Sequence, residues 1–210
     1  GIGLKLAEGL LFLSGGIDLI ALFLTMIACL ILGMGVPTTA NYVIMATITA
    51  PIILKLIPET PVLAAHFFVF YFGVVADITP PVALAAYAGS AISGGNPLRA
   101  GVIATKLAIA AFLVPYMLVL NPTMLLINAS FIQIVQFTIT SLVGMFAIAG
   151  GLEGFMKTNL PTWQRILAVG GGLLMIHPKL HTDVIGLVII GVVVAWQYGI
   201  KGLKLKSLEA

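Results

Sequence analysis

Long apolar runs, broken by short stretches rich in glycine, proline and threonine, set the organisation of this chain. Residues 1–14 (Lys5, Glu8, then leucine-rich) read as a short amphipathic piece or the tail of an earlier helix, closed by Gly15-Gly16. Residues 17–34 are apolar apart from Asp18 and Thr25, and residues 38–57 form the next run, ending at Lys55, Pro58, Glu59 and Pro61. The pair predicts a helical hairpin over 17–57 with its tip at Gly35 to Asn41. Each arm holds roughly 18–20 residues, about 27–30 Å as helix. That length fits either a re-entrant hairpin or two full spans.

Residues 62–76 and 81–94 would be about 23 and 21 Å long as helices. Each is too short to cross about 30 Å of hydrocarbon. Joined by unwound Asp77-Ile78-Thr79-Pro80, they predict one crossing by a broken helix. Further spans follow at 101–120, 124–149, 162–177 and 183–200, with joints at Asn121-Pro122, Gly150-Gly151, Pro161 and His177-Pro178. The predicted division is 1–122 (hairpin 17–57, broken helix 62–94, span 101–120) and 123–210, the additional C-terminal transmembrane helices.

Composition agrees with this pattern. Of 210 residues, 60% are hydrophobic and only 8% charged, against about 25% charged in an average soluble domain. Mean hydropathy is +1.18. The expected class is an all-α polytopic membrane protein in contact with the lipid bilayer. The net charge of +3 comes from membrane-flanking Lys and Arg, so nucleic acid is not implied. Cys29, the one cysteine, rules out an internal disulfide and reads as a small packing residue. No charged segment with a following cleavage site opens the chain, and Gly1-Ile2-Gly3-Leu4 reads as the interior of something longer. Arg99, Lys106, Lys157, Arg165, Lys201, Lys204 and Lys206 collect on one face of the predicted topology, and Lys55, Lys179 and Lys5 on the other. The positive-inside rule then places the first face and the C-terminus in the cytoplasm.

Two breaks carry candidate chemistry: Gly33-Met34-Gly35-Val36-Pro37-Thr38-Thr39-Ala40-Asn41 and Asp77-Ile78-Thr79-Pro80-Pro81. Unwound backbone at membrane depth is tolerated only against protein or a wet cavity, and paired breaks are expected at the site of a secondary transporter. New helices starting near Thr38 and Thr79, capped by threonine, would aim unpaired N–H groups and a positive dipole end at an anion such as a carboxylate. Carbonyls left bare by the preceding helices, the Thr38, Thr39 and Thr79 hydroxyls and the Asn41 oxygen would suit Na⁺. Asp77 is the acid placed deepest. It faces a coupling cation, carries a proton, or caps the second half-helix.

The remaining polar residues have plainer readings. Ser90 and Ser93 read as helix hydroxyls bonded one turn back. Asp18 reads as a membrane-surface residue and His66 as a packed interfacial histidine. His177 and His181, without a Cys partner, do not suggest a metal. Gly170-Gly171-Gly172 reads as close helix packing.

Leu32-Gly-Met-Gly-Val-Pro-Thr-Thr-Ala-Asn-Tyr-Val43, Ala64-Ala-His-Phe-Phe-Val-Phe-Tyr-Phe-Gly73 and, most strongly, Ile78-Thr-Pro-Pro-Val-Ala-Leu-Ala-Ala-Tyr-Ala88 resemble the large membrane subunit of TRAP transporters. These are the tripartite ATP-independent periplasmic transporters, and the TAXI-type branch with fused membrane subunits is the most similar. The resemblance covers about residues 1–125. It implies an elevator-type fold of two inverted repeats, with 17–57 and 62–94 as hairpin and broken helix of the second repeat. It also implies import of organic anions, driven by Na⁺ as coupling ion with no other cofactor. The implied partners are a periplasmic substrate-binding protein, the first repeat and the small membrane subunit, in the bacterial or archaeal inner membrane. On the matching positions, Gly35, Val36, Thr38, Thr39, Asp77 and Thr79 are cation candidates. Pro37, Asn41, Thr79, Pro80 and Pro81 are substrate candidates. The first repeat is not in this sequence, so the other half of the site lies in further sequence or a separate subunit.

Two other classes compete. An intramembrane enzyme would need a Gly-x-Ser-x-Gly elbow, a His-Glu-x-x-His or a second deep acid, and none is found. A non-transporting scaffold would explain apolar helices but predicts no meeting of the two breaks.

Overall fold

The computed structural model describes residues 2–127, 129–176 and 180–200. The topology residues Lys179, Lys201, Lys204 and Lys206 and the joint at His177-Pro178 lie outside the described residues. The fold is all-α and polytopic, and the chain divides into two compact units, residues 1–127 and 128–210. Among the described residues, the helices long and apolar enough to cross a membrane are Thr38–Leu56, Phe131–Glu153 and His181–Gly199, with Pro97–Leu107 and Ile109–Leu120 as a further bent pair.

In the first unit the helices are α1 (Ile2–Ser14), α2 (Asp18–Leu32), α3 (Thr38–Ile48), α4 (Ala50–Leu56), α5 (Val62–Val75), α6 (Leu84–Ser93), α7 (Pro97–Leu107) and α8 (Ile109–Leu120). The unit is built around α5, which is apolar on all sides and buries Ala64, Ala65, Phe68, Val69, Phe72, Gly73 and Val75. Its rings interlock with α8: Phe68 and Phe72 stand 5.3 and 5.8 Å from Tyr116, edge to face, and Phe72 stands 6.0 Å from Phe112. Leu22 and Cys29 of α2, Met45 of α3 and Ile53 of α4 complete this core. Cys29 is fully buried, as expected of a packing residue.

The second unit holds α9 (Phe131–Glu153), α10 (Thr162–Ile176) and α11 (Leu180–Ala195), the last running into a π turn at Trp196–Ile200. Ser130 opens α9 with a capping box, its hydroxyl accepting from Gln133 N–H. Close packing by glycine holds for Gly171, where a Cβ would come within 3.0 Å of Ile189, and for Gly172, where one would come within 2.6 Å of the Gly144 carbonyl oxygen. It does not hold for Gly170, which faces open space. Gln164 and Gln197, both fully buried, bond to each other, and Gln197 Oε1 accepts from the Thr158 hydroxyl at 2.6 Å.

Several boundaries depart from the sequence reading. The hairpin arms are unequal: α2 has 15 residues, about 22 Å, while Thr38–Leu56 has 19, about 28 Å. The longer arm is interrupted at Thr49, between α3 and α4. There Pro51 lacks a donor, and the Thr47 and Thr49 hydroxyls bond back to Val43 and Met45 carbonyls, both at 2.9 Å. The span read at 101–120 is two helices bent by 41° around Ala108. The span read from 124 begins at Phe131, after a 3₁₀ turn at Pro122–Leu125. The second half-helix, read from 81, begins at Leu84. The cis Pro80–Pro81 bond and a left-handed Ala83 (φ 36°) occupy the residues before it.

Candidate functional site

The first break starts where α2 ends. Gly33 N–H closes the last turn onto the Cys29 carbonyl at 2.8 Å. Gly35 then takes φ 70°, a value that glycine adopts without steric cost, and Pro37 sets the entry to α3. Thr38 is the first residue of α3, but no threonine caps it: Pro37 is the N-cap and no side chain bonds there. The N–H groups of Thr38, Thr39 and Ala40 thus stay open at the helix tip, since the first helical bond runs from Asn41 N–H to Pro37 O at 2.9 Å.

The second break follows α5 through a 3₁₀ turn at Ala76–Ile78. Thr79 does not start the next helix, contrary to expectation. Its hydroxyl donates back to the Val75 carbonyl at 2.7 Å and finishes the helix before it. Asp77 is half-buried in the 3₁₀ turn. The reading of Asp77 as cap of the second half-helix fails, because α6 starts seven residues later, at Leu84, with Ala83 as N-cap and no side-chain bond.

The two breaks touch. A Cβ on Gly33 would stand 3.0 Å from Ala76 Cβ and 3.0 Å from Asn41 Nδ2. A cavity of about 180 Å³ opens beside that contact, lined by Ile27, Leu30, Ile31 and Met34 from the first side and Ala76, Thr79 and Pro80 from the second. Asn41 sits behind it, 2% exposed. Its Nδ2 donates to the Gly73 carbonyl at 2.7 Å, while Oδ1 is buried without a hydrogen-bond partner. A bare amide oxygen there, next to helix-end carbonyls, is a donor set that suits a hard monovalent cation. Among the described residues no three His, Cys, Asp or Glu side chains group as a metal site.

The candidates thus separate. Asn41, Thr79, Pro80 and the turn holding Asp77 come together where the breaks meet. Gly35, Pro37, Thr38 and Thr39 lie exposed at the hairpin tip, Val36 is half-buried, and Pro81 is exposed. Ser90 and Ser93 bond one turn back, to Tyr87 O at 2.8 Å and Ser90 O at 3.3 Å. His66 accepts or donates at Nδ1 with the Tyr42 hydroxyl at 3.0 Å.

Supporting residues were missed in the sequence. Gly101 of α7 makes room for the second break: a Cβ there would meet Pro80 Cγ at 3.1 Å, Ala83 Cβ at 3.2 Å and Tyr87 Cε1 at 3.2 Å. Thr105, one turn on, donates to the Ile78 and Gly101 carbonyls at 3.2 and 3.0 Å. Tyr87 donates to the Pro81 carbonyl at 2.8 Å. The small-xxx-small spacing of Gly101 and Thr105 was the available signal.

No curated protein and no solved structure matches this chain. Residues 1–133, which carry both breaks, match the family model "Tripartite ATP-independent periplasmic transporter, DctM component"; the chain belongs to that family, the large membrane component of TRAP transporters.

Proposed function

We propose that the first unit supplies one half of the transport site of a sodium-coupled importer of organic anions. The carrying observation is Asn41: a buried amide whose nitrogen is spent on Gly73 and whose oxygen is bare, beside the contact of the two breaks. Sodium is the cargo that fits it. Asn41 Oδ1, the Thr79 hydroxyl oxygen and break carbonyls are its ligands. The open N–H groups of Thr38 to Ala40, and those of Leu84 to Ala86 at the start of α6, provide the positive ends that favour a carboxylate. Gly35, Val36, Pro37, Thr39 and Pro81 shape the tip and turn that carry these groups.

In this reading α2 to α4 form a re-entrant hairpin, and α5 with α6 the broken helix of the second of two inverted repeats. The short α2 supports it, since about 22 Å of helix does not cross about 30 Å of hydrocarbon. The first repeat, the small membrane subunit and a periplasmic binding protein complete the machine in the inner membrane, with the C-terminus cytoplasmic.

The test is uptake by the assembled transporter in proteoliposomes with its binding protein. Radiolabelled dicarboxylates and glutamate are supplied with or without an inward sodium gradient. Uptake that needs both sodium and the binding protein supports the proposal. Uptake driven by a proton gradient alone overturns the sodium assignment and moves the coupling role to Asp77.

A further inference from the structure

Beyond residue 133 the family match ends, and the second unit carries a groove of its own. It lies between α9 and α10, measures about 510 Å³, and runs along Ile166, Val169, Gly170 and Leu173, one stripe of α10. Gly170 leaves it open: a Cβ there would meet nothing within 4 Å. The stripe is apolar along its length, with Ile166, Gly170 and Leu173 exposed. Its other end is polar and cationic. Arg165 closes the groove with its guanidinium locked in place, Nε donating to the Gly151 carbonyl at 3.0 Å and Nη2 to the Leu152 carbonyl at 2.9 Å. The left-handed Gly154 (φ 74°) lets the plane lie close, since a Cβ there would stand 3.1 Å from Arg165 Cζ. A guanidinium has five N–H donors, and two are used on these carbonyls.

Aromatic and basic residues surround this end. Trp163 and Trp196 stand edge to face at 5.8 Å, and the Lys157 ammonium sits 4.8 Å over the Tyr198 ring. Tryptophan, tyrosine and basic residues gather at headgroup level. Between 153 and 165, Lys157 and Arg165 outnumber the single acid Glu153. A fixed, exposed cation with an apolar groove running from it has the polarity of one molecule type: a phospholipid with an anionic headgroup.

We infer that the α9–α10 groove is a specific site for an anionic phospholipid, its phosphate on Arg165 and one acyl chain along Ile166, Val169, Gly170 and Leu173. Free phosphate leaves the apolar stripe unfilled, and the quaternary ammonium of a zwitterionic lipid is repelled by Arg165 where a headgroup of net negative charge is not.

The experiment is native mass spectrometry of the assembled transporter, delipidated and then offered phosphatidylglycerol or phosphatidylcholine. The expected result is one retained phosphatidylglycerol per chain, preferred by roughly fivefold for each basic residue engaged. Gly170→Leu, which fills the groove where there is open space, should abolish retention. Gly191→Leu, on α11 and equally unobstructed, should not. Arg165→Gln should remove the headgroup preference and leave weak, unselective binding. Equal retention of both lipids by the wild type, or undiminished retention by Gly170→Leu, overturns the proposal. Because Arg165 also caps α9, Gly170→Leu decides the matter if Arg165→Gln fails to fold.

Discussion

Asn41 and Gly73, 32 positions apart, share a buried hydrogen bond of 2.7 Å from side-chain amide to backbone carbonyl. The bond ties the first turn of the helix after one break to the last turn of the helix before the other. Both glycines around it are spaces for the amide: a Cβ on Gly73 would stand 3.1 Å from Nδ2, and one on Gly33 3.0 Å. The Asn41→Leu variant keeps the volume, loses the bond and leaves the Gly73 carbonyl unpaired. The expected stability loss is about 1–3 kcal/mol, a fall in Tm of roughly 2–4 °C per kcal/mol for a chain of this size. Sodium-dependent uptake should fall further than that loss explains. Wild-type sodium dependence in this variant would make Asn41 a packing group only.

Thr79 can be dissected by its own hydroxyl. That group donates to Val75 O, and Thr79 lines the cavity between the breaks. Thr79→Ser keeps it and should transport within about twofold of wild type. Thr79→Val removes it, and loss of one half-buried hydrogen bond of about 1–1.5 kcal/mol predicts roughly a tenfold loss in sodium-dependent uptake. Combined with Pro80→Ala, uptake should vanish while membrane insertion stays normal. Sodium titrations of initial uptake rates for the three variants would decide it.

The places where the helices stop were legible because the chemistry of stopping is local. Gly35 and Pro37 cannot continue a helix in the usual way, and Pro80-Pro81 cannot either. Where the next helix resumes was less legible. The Pro80–Pro81 turn ends on Ala83, a residue that gives no warning of a left-handed conformation, so the start of α6 slid three residues past the position read. The bend at Ala108 had no proline or glycine to announce it. Asn41 read as a tip residue with an available oxygen, but its burial depends on Gly33 and Gly73 arriving from two other helices, and no local pattern encodes that. Gly101 was unremarkable for the same reason: its role exists only once Pro80, Ala83 and Tyr87 are set against it.

Gly101 therefore offers a test in which helix propensity and packing oppose each other. Alanine in a helix interior is better than glycine by roughly 1 kcal/mol. Here the added methyl presses on Pro80, Ala83 and Tyr87 at 3.1–3.2 Å. Gly101→Ala should leave Tm nearly unchanged, the two effects offsetting, while Gly101→Leu should lower both Tm and uptake. Thermal unfolding followed beside uptake separates these outcomes. Full activity in Gly101→Leu would show that the second break does not need α7 for its shape.

Cys29 makes sodium binding measurable without transport. It is the chain's only cysteine, it is fully buried, and its carbonyl accepts the Gly33 N–H at the edge of the first break. A thiol-reactive maleimide dye can reach it only when this part of the unit opens, so the labelling rate reports the opening equilibrium. A ligand that binds only the closed form slows labelling by the factor 1 + [L]/Kd. Sodium at about ten times its Kd should therefore slow labelling roughly tenfold, and potassium at equal ionic strength should not. In Asn41→Leu the basal rate should rise and the sodium protection should disappear. Protection that survives in Asn41→Leu would place the ion elsewhere in the transporter, and protection equal in sodium and potassium would mean that the effect is ionic strength.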